Sequence, residues 1–173
     1  TCWLLLIPRQ DIMERDEEDC WRLVQHACIE VPASARKASI YVSHEDARRV
    51  GAMAGKIAEI LRAEAVRAII VELPTGGGQA ARPVWCMGMA TGMIAGLVEV
   101  LDIGAAWVTP DDTRRAATGR AKASKDEVVR AMVAKWGEGW IYGLDRTARE
   151  AVADALATWE AGKNSPLVRV RGG

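Results

Sequence analysis

A short apolar run that ends in one carboxylate constrains the fold of this chain more than any other feature. Residues 68–71, Ala-Ile-Ile-Val, lack polar alternation, and Glu72 follows them directly. Such a run predicts a strand covered on both faces, as in a parallel or mixed sheet flanked by helices. Because an unpaired buried carboxylate is strongly unfavourable, we expect Glu72 to lie beside a cation, a base or a metal ion. An ordinary ion pair with an arginine is the alternative.

Composition narrows the class of protein. The 173 residues suit one domain with a full-sized core, and 23 basic residues balance 23 acidic ones, so any anion-binding surface must be local. The four cysteines form no CxxC pair or secretory framework, which predicts free thiols in a reducing compartment. We see no apolar span of about eighteen residues and no signal peptide, and therefore expect a cytoplasmic protein without a membrane partner.

The segments around Glu72 alternate between strands and helices. Cys2 to Ile7 and Trp21 to Val31 predict two strands that form a hairpin, whereas Ala38 to Val42 fits either a short strand or an extended entry to a helix. Apolar spacing predicts a helix from Ser43 to Glu64, with Ser43 and Asp46 as its capping box. The order of elements therefore leads from strands through a helix into the Glu72 strand.

After Glu72 the pattern continues with a helix up to about Leu101, a strand at Ala105 to Thr109, and two later helices. The later helices are predicted to begin at capping boxes, Ser124 with Glu127 and Thr147 with Glu150.

Two groups of glycines allow more than one interpretation. Gly76 to Gly78 could expose backbone amides to a phosphate, but their spacing fits no known phosphate loop, and a flexible loop is the alternative. Gly88, Gly92 and Gly96 recur every four residues, so we expect that helix to pack closely against the sheet or against a partner subunit.

Residues 113–125, called here the basic segment, contain five basic side chains and no acid. Clustered cations attract phosphates through a local field that a net charge of zero conceals, although a solvated loop and helix face would look the same. The candidate phosphate contacts are Arg114, Arg115, Arg120, Lys122 and Lys125.

Asp154 is a second candidate for a buried acid, because it lies in the alanine-rich helical stretch Ala-Asp-Ala-Leu-Ala. Two acids from distant segments, one ending a strand and one on a late helix, are what two-metal nucleases use to hold Mg²⁺.

The order of these elements resembles the RuvC family of Holliday junction resolvases. Ile70-Val71-Glu72 matches the family's strand acid, the stretch 88–92 (Gly-Met-Ala-Thr-Gly) is similar to its glycine-containing helix start, and residues 152–157 (Val-Ala-Asp-Ala-Leu-Ala) resemble its closing acid motif. The basic segment matches the family's own, with Lys125 on its second lysine. Each motif is weak alone, and their order and spacing carry the resemblance.

This resemblance implies an α/β protein of the RNase H-like fold, with a mixed central sheet flanked by helices, in one nuclease domain over residues 1–165 and a tail over 166–173. It implies a homodimer that cuts branched DNA such as a four-way junction, with Mg²⁺, or Mn²⁺ in its place, in DNA recombination and repair. The implied catalytic and metal-binding residues are Glu72, Asp154 and Glu150. The implied DNA contacts are the five cations of the basic segment, joined by Arg82 beside the glycine loop.

Two departures from the family pattern bear on activity. Thr1-Cys2-Trp3 resembles only the part that follows the family's first metal-binding aspartate, so we expect either that a strand precedes the numbered chain or that the site is incomplete. Ala151 stands where the family has an acid or histidine, and Glu150, on the same helix face, could serve instead or could simply cap its helix with Thr147.

Two other functions stay open on these residues. A protein that binds junctions without cutting them would keep the fold and the basic segment, and it would lack a complete metal site. A small-molecule enzyme would use Gly76 to Gly78 for a nucleotide phosphate.

Overall fold

The computed structural model describes residues 3–7, 25–29, 31–32, 41–73 and 80–171. The glycine loop at 76–78, the motif at 1–2 and most of the undecided stretch at 38–42 lie outside the described residues.

Four strands form two separate pairs. Strand β1 (Trp3–Ile7) pairs antiparallel with β2 (Gln25–Ile29), which confirms the predicted pairing. Strand β3 (Ala68–Glu72) pairs in parallel with β4 (Gly104–Val108). The single mixed central sheet that we predicted is not present among the described residues, because no hydrogen bonds join the two pairs there.

Helices make up most of the described chain. They are α1 (Val42–Ala63), α2 (Ala81–Leu101), α3 (Pro110–Thr118), α4 (Lys125–Trp136), α5 (Arg146–Gly162) and α6 (Pro166–Arg171). The sequence pattern predicted α1, α2, α4 and α5, but it missed α3, which begins directly after β4. Within the predicted tail, α6 packs against β3 and β4.

The structure confirms one of the three predicted capping boxes and contradicts the other two. Ser124 and Glu127 form the predicted box of α4. The other two predicted boxes are wrong: α1 begins after Tyr41 without a side-chain cap, and α5 is capped by Asp145, whose carboxylate accepts the Ala148 amide at 2.8 Å. In both cases the helix starts earlier than the apolar periodicity suggested, so the proposed cap residue lies inside the first turn.

The core has two parts. One joins α4 and α5 through Met132, Trp140, Val152 and Leu156, which are all buried. The other packs α1 against α2 and the start of β4, and its buried side chains are Ile29, Val31, Met53, Ile57, Leu61, Ile94 and Ile103. Helix α5 also packs against β3, β4 and α3, so it links the core to the carboxyl ends of the parallel strands.

None of the described residues packs against the glycines of helix α2. Gly88, Gly92 and Gly96 are exposed, and a methyl group added at any of them would meet nothing within 4 Å. This corrects the expectation that these glycines pack on the sheet of the same chain. The buried side of α2 is the side of Ala90 and Ile94.

The exposed side of α2 is strongly apolar. Among the described helices, Ala81–Leu101 alone is long and apolar enough to cross a membrane by length and composition, which corrects the expectation that no such span exists. A single helix of this kind is weak evidence for a membrane, and only 11% of its most apolar stretch is buried inside the fold. Trp85, in the first part of α2, is 57% exposed.

Gly162 allows the end of α5 to approach β3. A methyl group at this position would overlap the Ile70 side chain, and the Cδ1 and Cγ1 atoms of Ile70 lie 3.0 Å from its ideal position. Because Ile70 is β-branched and stiff, it cannot move aside easily. Gly162 therefore controls the spacing between α5 and the strand that carries Glu72.

We expect Gly162→Ala to lower the free energy of unfolding by about 1–3 kcal/mol, because it overpacks the contact with Ile70. Thermal melting followed by circular dichroism measures the effect. Gly55→Ala is the matched control, since Gly55 is an exposed helical glycine with open space around it, and alanine there should stabilise α1 by up to about 1 kcal/mol. Equal stabilisation by both substitutions would contradict the close approach.

Candidate active site

Asp154 lies close enough to Glu72, at the carboxyl end of the parallel strands, for its charge to act on the Glu72 carboxyl. Glu72 is the last residue of β3, opposite Val108 of β4, and Asp154 comes from the middle of α5. Both are half-buried, and the charge of Asp154 raises the pKa of Glu72. The structure thus brings together the two acids that the sequence proposed from distant segments, and we call them the carboxylate pair.

The pKa of Glu72 is raised above its ordinary value, chiefly because the carboxyl is buried. The neighbouring Thr113 hydroxyl opposes this effect, the Asp154 charge adds to it, and the charges of Arg114 and Lys125 lower the pKa. Thr113 is almost fully buried, and its Oγ1 makes no hydrogen bond of ordinary geometry in the described part of the chain. The Thr113 hydroxyl is therefore a close neighbour of Glu72, and its oxygen can still accept a hydrogen bond or bind a cation.

Burial is also the main reason why the pKa of Asp154 is raised. Lys125 lowers it, Glu150 raises it, and Arg114 lowers it. Both acids of the pair thus lie in a setting that favours the neutral form and is only partly compensated by nearby cations. Such a setting favours binding of an additional positive charge.

Glu150 lies one turn before Asp154 on α5, but its carboxylate is held by two cations. Its Oε2 lies 3.3 Å from Lys125 Nζ, and its Oε1 accepts a hydrogen bond of 2.9 Å from Arg146 Nε. These bonds lower the pKa of Glu150. The predicted capping role with Thr147 is wrong, because Asp145 caps the helix.

Four of the five cations in the basic segment form ion pairs with acidic residues. Two of these acids directly precede the segment, and the other two follow it. Arg114 lies 3.5 Å from Asp111 and Arg115 lies 3.3 Å from Asp112. The other two pairs are Arg120 with Glu127 and Lys125 with Glu150. Lys122 is exposed, and the described residues offer it no ion pair.

Exposed ion pairs contribute about 0–1 kcal/mol, so a phosphate could compete for these side chains. Their role as DNA contacts stays a prediction. The first part of the segment is helix α3, and the acids that precede it reduce the local positive field.

Arg82, also predicted as a DNA contact, pairs with the buried carboxylate of Asp46 at 3.1 Å. The guanidinium is 64% exposed, so it covers Asp46 and also faces solvent. Asp46 additionally accepts a weak contact of 3.9 Å from the Cys86 thiol, which is free. A structural role for Arg82 is therefore visible in the fold, and its contact with DNA remains a prediction.

The oxygen donors at the carboxylate pair fit a hard divalent cation. Glu72 and Asp154 supply carboxylates, and the Thr113 hydroxyl supplies a neutral acceptor without a hydrogen bond. Within the described residues, however, no group of three or more His, Cys, Asp or Glu side chains is arranged to hold a metal. Among the described residues the site therefore has the two carboxylates of Glu72 and Asp154, and the Glu150 carboxylate is bound to Lys125 and Arg146 instead.

Thr113 and helix α3 are the parts of the site that sequence reasoning missed. Thr109 caps α3 through a capping box with Asp112, and Pro110 occupies the first turn. That signature was readable, because a Thr followed by Pro and then by Asp three residues later is typical of a helix start. The prediction for this stretch rested on the cations of the basic segment and assigned it no helix before Ser124.

The described chain is a mostly helical α/β fold in which a parallel strand pair ends in an acidic site. Comparison with solved structures finds a similar fold. Thermus thermophilus RuvC in complex with a Holliday junction substrate matches with a TM-score of 0.63 at 19% identity, over 82% of this chain and 76% of that one. Another structure of the same protein gives a TM-score of 0.57 at 19% identity, over 80% and 78% of the two chains.

At this identity the likeness shows that the chain has a RuvC-like fold. No protein family model and no curated protein matches the sequence.

Proposed function

We propose that this chain is a RuvC-like nuclease that acts on branched DNA such as a four-way junction. The observation that carries the proposal is the carboxylate pair, Glu72 with Asp154, at the end of β3 in a fold similar to RuvC. The neighbour's complex with a Holliday junction substrate supports the class of substrate.

In this proposal Glu72 and Asp154 hold Mg²⁺, or Mn²⁺ in its place, and Thr113 lines the same site. When bound, the metal supplies Lewis-acid activation of water and stabilises charge on the phosphate. The chain's own contribution is to hold the two carboxylates in a half-buried place where their charges are poorly compensated. Glu150 was predicted as a third ligand, and to bind the metal it would have to leave its contacts with Lys125 and Arg146.

DNA would approach the site along α3 and the start of α4. Arg114 and Lys125 lie close enough to the carboxylate pair to change its pKa values, so they are placed to bind the phosphates next to the bond that is cut. Arg115, Arg120 and Lys122 would bind phosphates further away.

We further propose a homodimer that uses the exposed side of α2. The three open glycines lie on the same helix as exposed Val84, Trp85 and Val100, and this apolar surface is unusual for a monomer. Helices with small residues at this spacing can approach one another closely. A twofold dimer would place one carboxylate pair on each of two strands of a four-way junction.

We expect Gly92→Arg to weaken the dimer at least about tenfold, because a long charged side chain would enter the apolar contact. Sedimentation equilibrium measures the association. Gly51→Arg is the control, since Gly51 is an equally exposed and open helical glycine on α1. A wild-type chain that stays monomeric at about 100 µM, a concentration that detects even weak self-association, would contradict the proposed interface.

The direct test of the proposed function is cleavage of a labelled four-way junction with Mg²⁺, compared with a linear duplex of the same sequence. Symmetric nicks in the junction alone support a resolving nuclease. Junction binding without nicks would favour a non-catalytic binding protein, the candidate that agrees with the two acids that the described residues supply to the site. Failure to bind the junction at low salt would overturn both.

A small-molecule enzyme that uses the glycine loop stays a further prediction. It would melt at a higher temperature in the presence of a nucleotide, which a thermal shift assay with ATP measures.

A further inference from the structure

A cavity of about 370 Å³ lies between the first halves of α1 and α2. Four of the chain's six methionines and one cysteine line it, so sulfur atoms are concentrated there. Protein interiors are otherwise packed with few voids larger than a water molecule, so packing alone does not account for this space. The sulfur-bearing residues of the lining are Met53, Cys86, Met87, Met89 and Met93.

The sulfur atoms come from both helices. Cys86, Met89 and Met93 are spaced three and four residues apart on α2, so they lie on one face of that helix. Met53 is a buried residue of α1 and lines the same cavity. Because a methionine side chain has three rotatable bonds, these thioethers can converge on one point in the cavity. The cavity thus offers several thioethers and one thiol to a single ligand.

A buried carboxylate lies next to the thiol. Asp46 lines the same cavity and is only 8% exposed. Its Oδ1 accepts a hydrogen bond of 3.1 Å from Arg82, and its Oδ2 lies 3.9 Å from the Cys86 sulfur. Arg49, which also lines the cavity, donates to the Val31 carbonyl at 3.1 Å. The charge of Asp46 is therefore balanced by Arg82 before any ligand binds.

The donor atoms of this cavity select a class of ligand. Thiolate and thioether sulfurs are soft ligands that prefer soft cations such as Cu(I). A cation that binds the Cys86 sulfur replaces the thiol proton, which is released to the solvent. For a monovalent ion this exchange leaves the charge of the cavity unchanged, whereas a divalent ion would bring an additional charge into an apolar space.

We propose that the cavity between α1 and α2 binds a monovalent soft metal ion, Cu(I), through the Cys86 sulfur and the thioethers of Met53, Met89 and Met93. This site is separate from the carboxylate pair, whose oxygen donors fit a hard cation. The inference does not depend on the proposed nuclease, because it uses other residues and is tested without DNA.

The first experiment adds silver nitrate to the whole chain, labelled with ¹³C at the methionine methyl groups, in a chloride-free buffer, and follows these groups by NMR. Ag⁺ shares the charge and the soft character of Cu(I). We expect the signals of Met53, Met89 and Met93 to shift, while that of Met132, fully buried between α4 and α5, stays in place. Cu(I) kept reduced with ascorbate should shift the same signals, and Zn²⁺ should shift none of them.

The second experiment repeats the Ag⁺ titration with variants and uses the Met53 signal as the readout. Cys86→Ser, and separately Met89→Leu combined with Met93→Leu, should each raise the Ag⁺ concentration for half of the shift by at least about tenfold, as the loss of metal ligands does. Leucine conserves the volume of methionine, so packing is retained. Met132→Leu is the matched control, because it makes the same exchange away from the cavity.

The readout at methionine separates this site from binding to thiols elsewhere, since the chain has four cysteines and each thiol attracts soft cations. Shifts of the three cavity signals that weaken in Cys86→Ser and persist in Met132→Leu support the site. An excess of Ag⁺ that shifts none of the three overturns it. Shifts that are equally sensitive to Ag⁺ in wild type, Cys86→Ser and the double leucine variant overturn it as well.

Discussion

Glu72→Gln is expected to reduce Mg²⁺-dependent cleavage of a four-way junction by about a hundredfold or more while junction binding is retained. The substitution keeps the shape of the side chain and removes one of the two carboxylates that would hold the metal. The basic segment is unchanged, so the attraction to phosphates remains. Single-turnover cleavage and binding in the absence of Mg²⁺ measure the two effects separately.

The same variant should be more stable than wild type when no metal is bound. Burial and the Asp154 charge raise the pKa of Glu72, so the ionised group destabilises the folded chain at neutral pH. A neutral glutamine removes that cost, and we expect the melting temperature to rise by about 2–4 °C, as for a gain of about 1 kcal/mol. Loss of activity together with a gain in stability would identify a functional acid and exclude a merely structural one.

The sign of the pH effect follows from the same pKa shifts. Since the pKa values of Glu72 and Asp154 are raised in the folded chain, the folded state binds protons more tightly than the unfolded state. Their contribution to stability is therefore lost as the pH rises from the ordinary carboxyl range through the raised values. Glu72→Gln should reduce this decline in metal-free melting curves.

Glu64→Gln serves as the control for both measurements, because Glu64 is exposed at the end of α1. It should change neither cleavage nor the melting temperature. Cleavage that survives Glu72→Gln within about threefold, far less than the loss of a metal ligand causes, would remove Glu72 from the catalytic role.

Arg114→Gln combined with Lys122→Gln is expected to weaken junction binding about tenfold or more at moderate salt. Each phosphate contact releases counterions, so losing two should lower the slope of log affinity against log salt by about two. Both side chains lie in the basic segment, and Arg114 is also close to the carboxylate pair. Fluorescence anisotropy across a series of salt concentrations, without Mg²⁺, measures both the affinity and the slope.

The control for this pair is Arg62→Gln with Arg67→Gln. Those residues are exposed, change the net charge equally, and precede β3, at the opposite end of the strand from Glu72. An equal loss of affinity in both double variants would show that only net charge matters and that the basic segment is no DNA site. Loss of affinity without a change of slope would point to misfolding.

The elements that were predicted correctly follow from local sequence patterns. The apolar run at residues 68–71 predicted β3 with its terminal acid, and apolar periodicity predicted α1, α2, α4 and α5. Neighbouring residues set these patterns. The Ser124 box was correct for the same reason. The boxes at Ser43 and Thr147 failed because each helix has its N-cap two residues earlier, at Tyr41 and Asp145, and apolar periodicity does not fix a helix end to within two residues.

Charge pairing did not follow from local patterns. The basic segment contains no acid and was predicted to be a cationic surface, but Arg114 and Arg115 pair with Asp111 and Asp112, because α3 places residues three apart side by side. Glu150 looked like a metal ligand from its distance to Asp154 along the chain. Its partner Lys125, 25 residues earlier, was not visible in any local pattern.

The sequence by itself determined the strand that ends in Glu72, most of the helices, the second acid at Asp154, and the resemblance that connects them. Only the folded structure shows that the charge of Asp154 acts on Glu72, that Thr113 neighbours Glu72, that Glu150 pairs with Lys125, and that the glycines of α2 are exposed. The physical reason is that secondary structure follows from side chains within one or two turns. Burial, charge pairing and an open helix face depend on which distant segments the fold brings together.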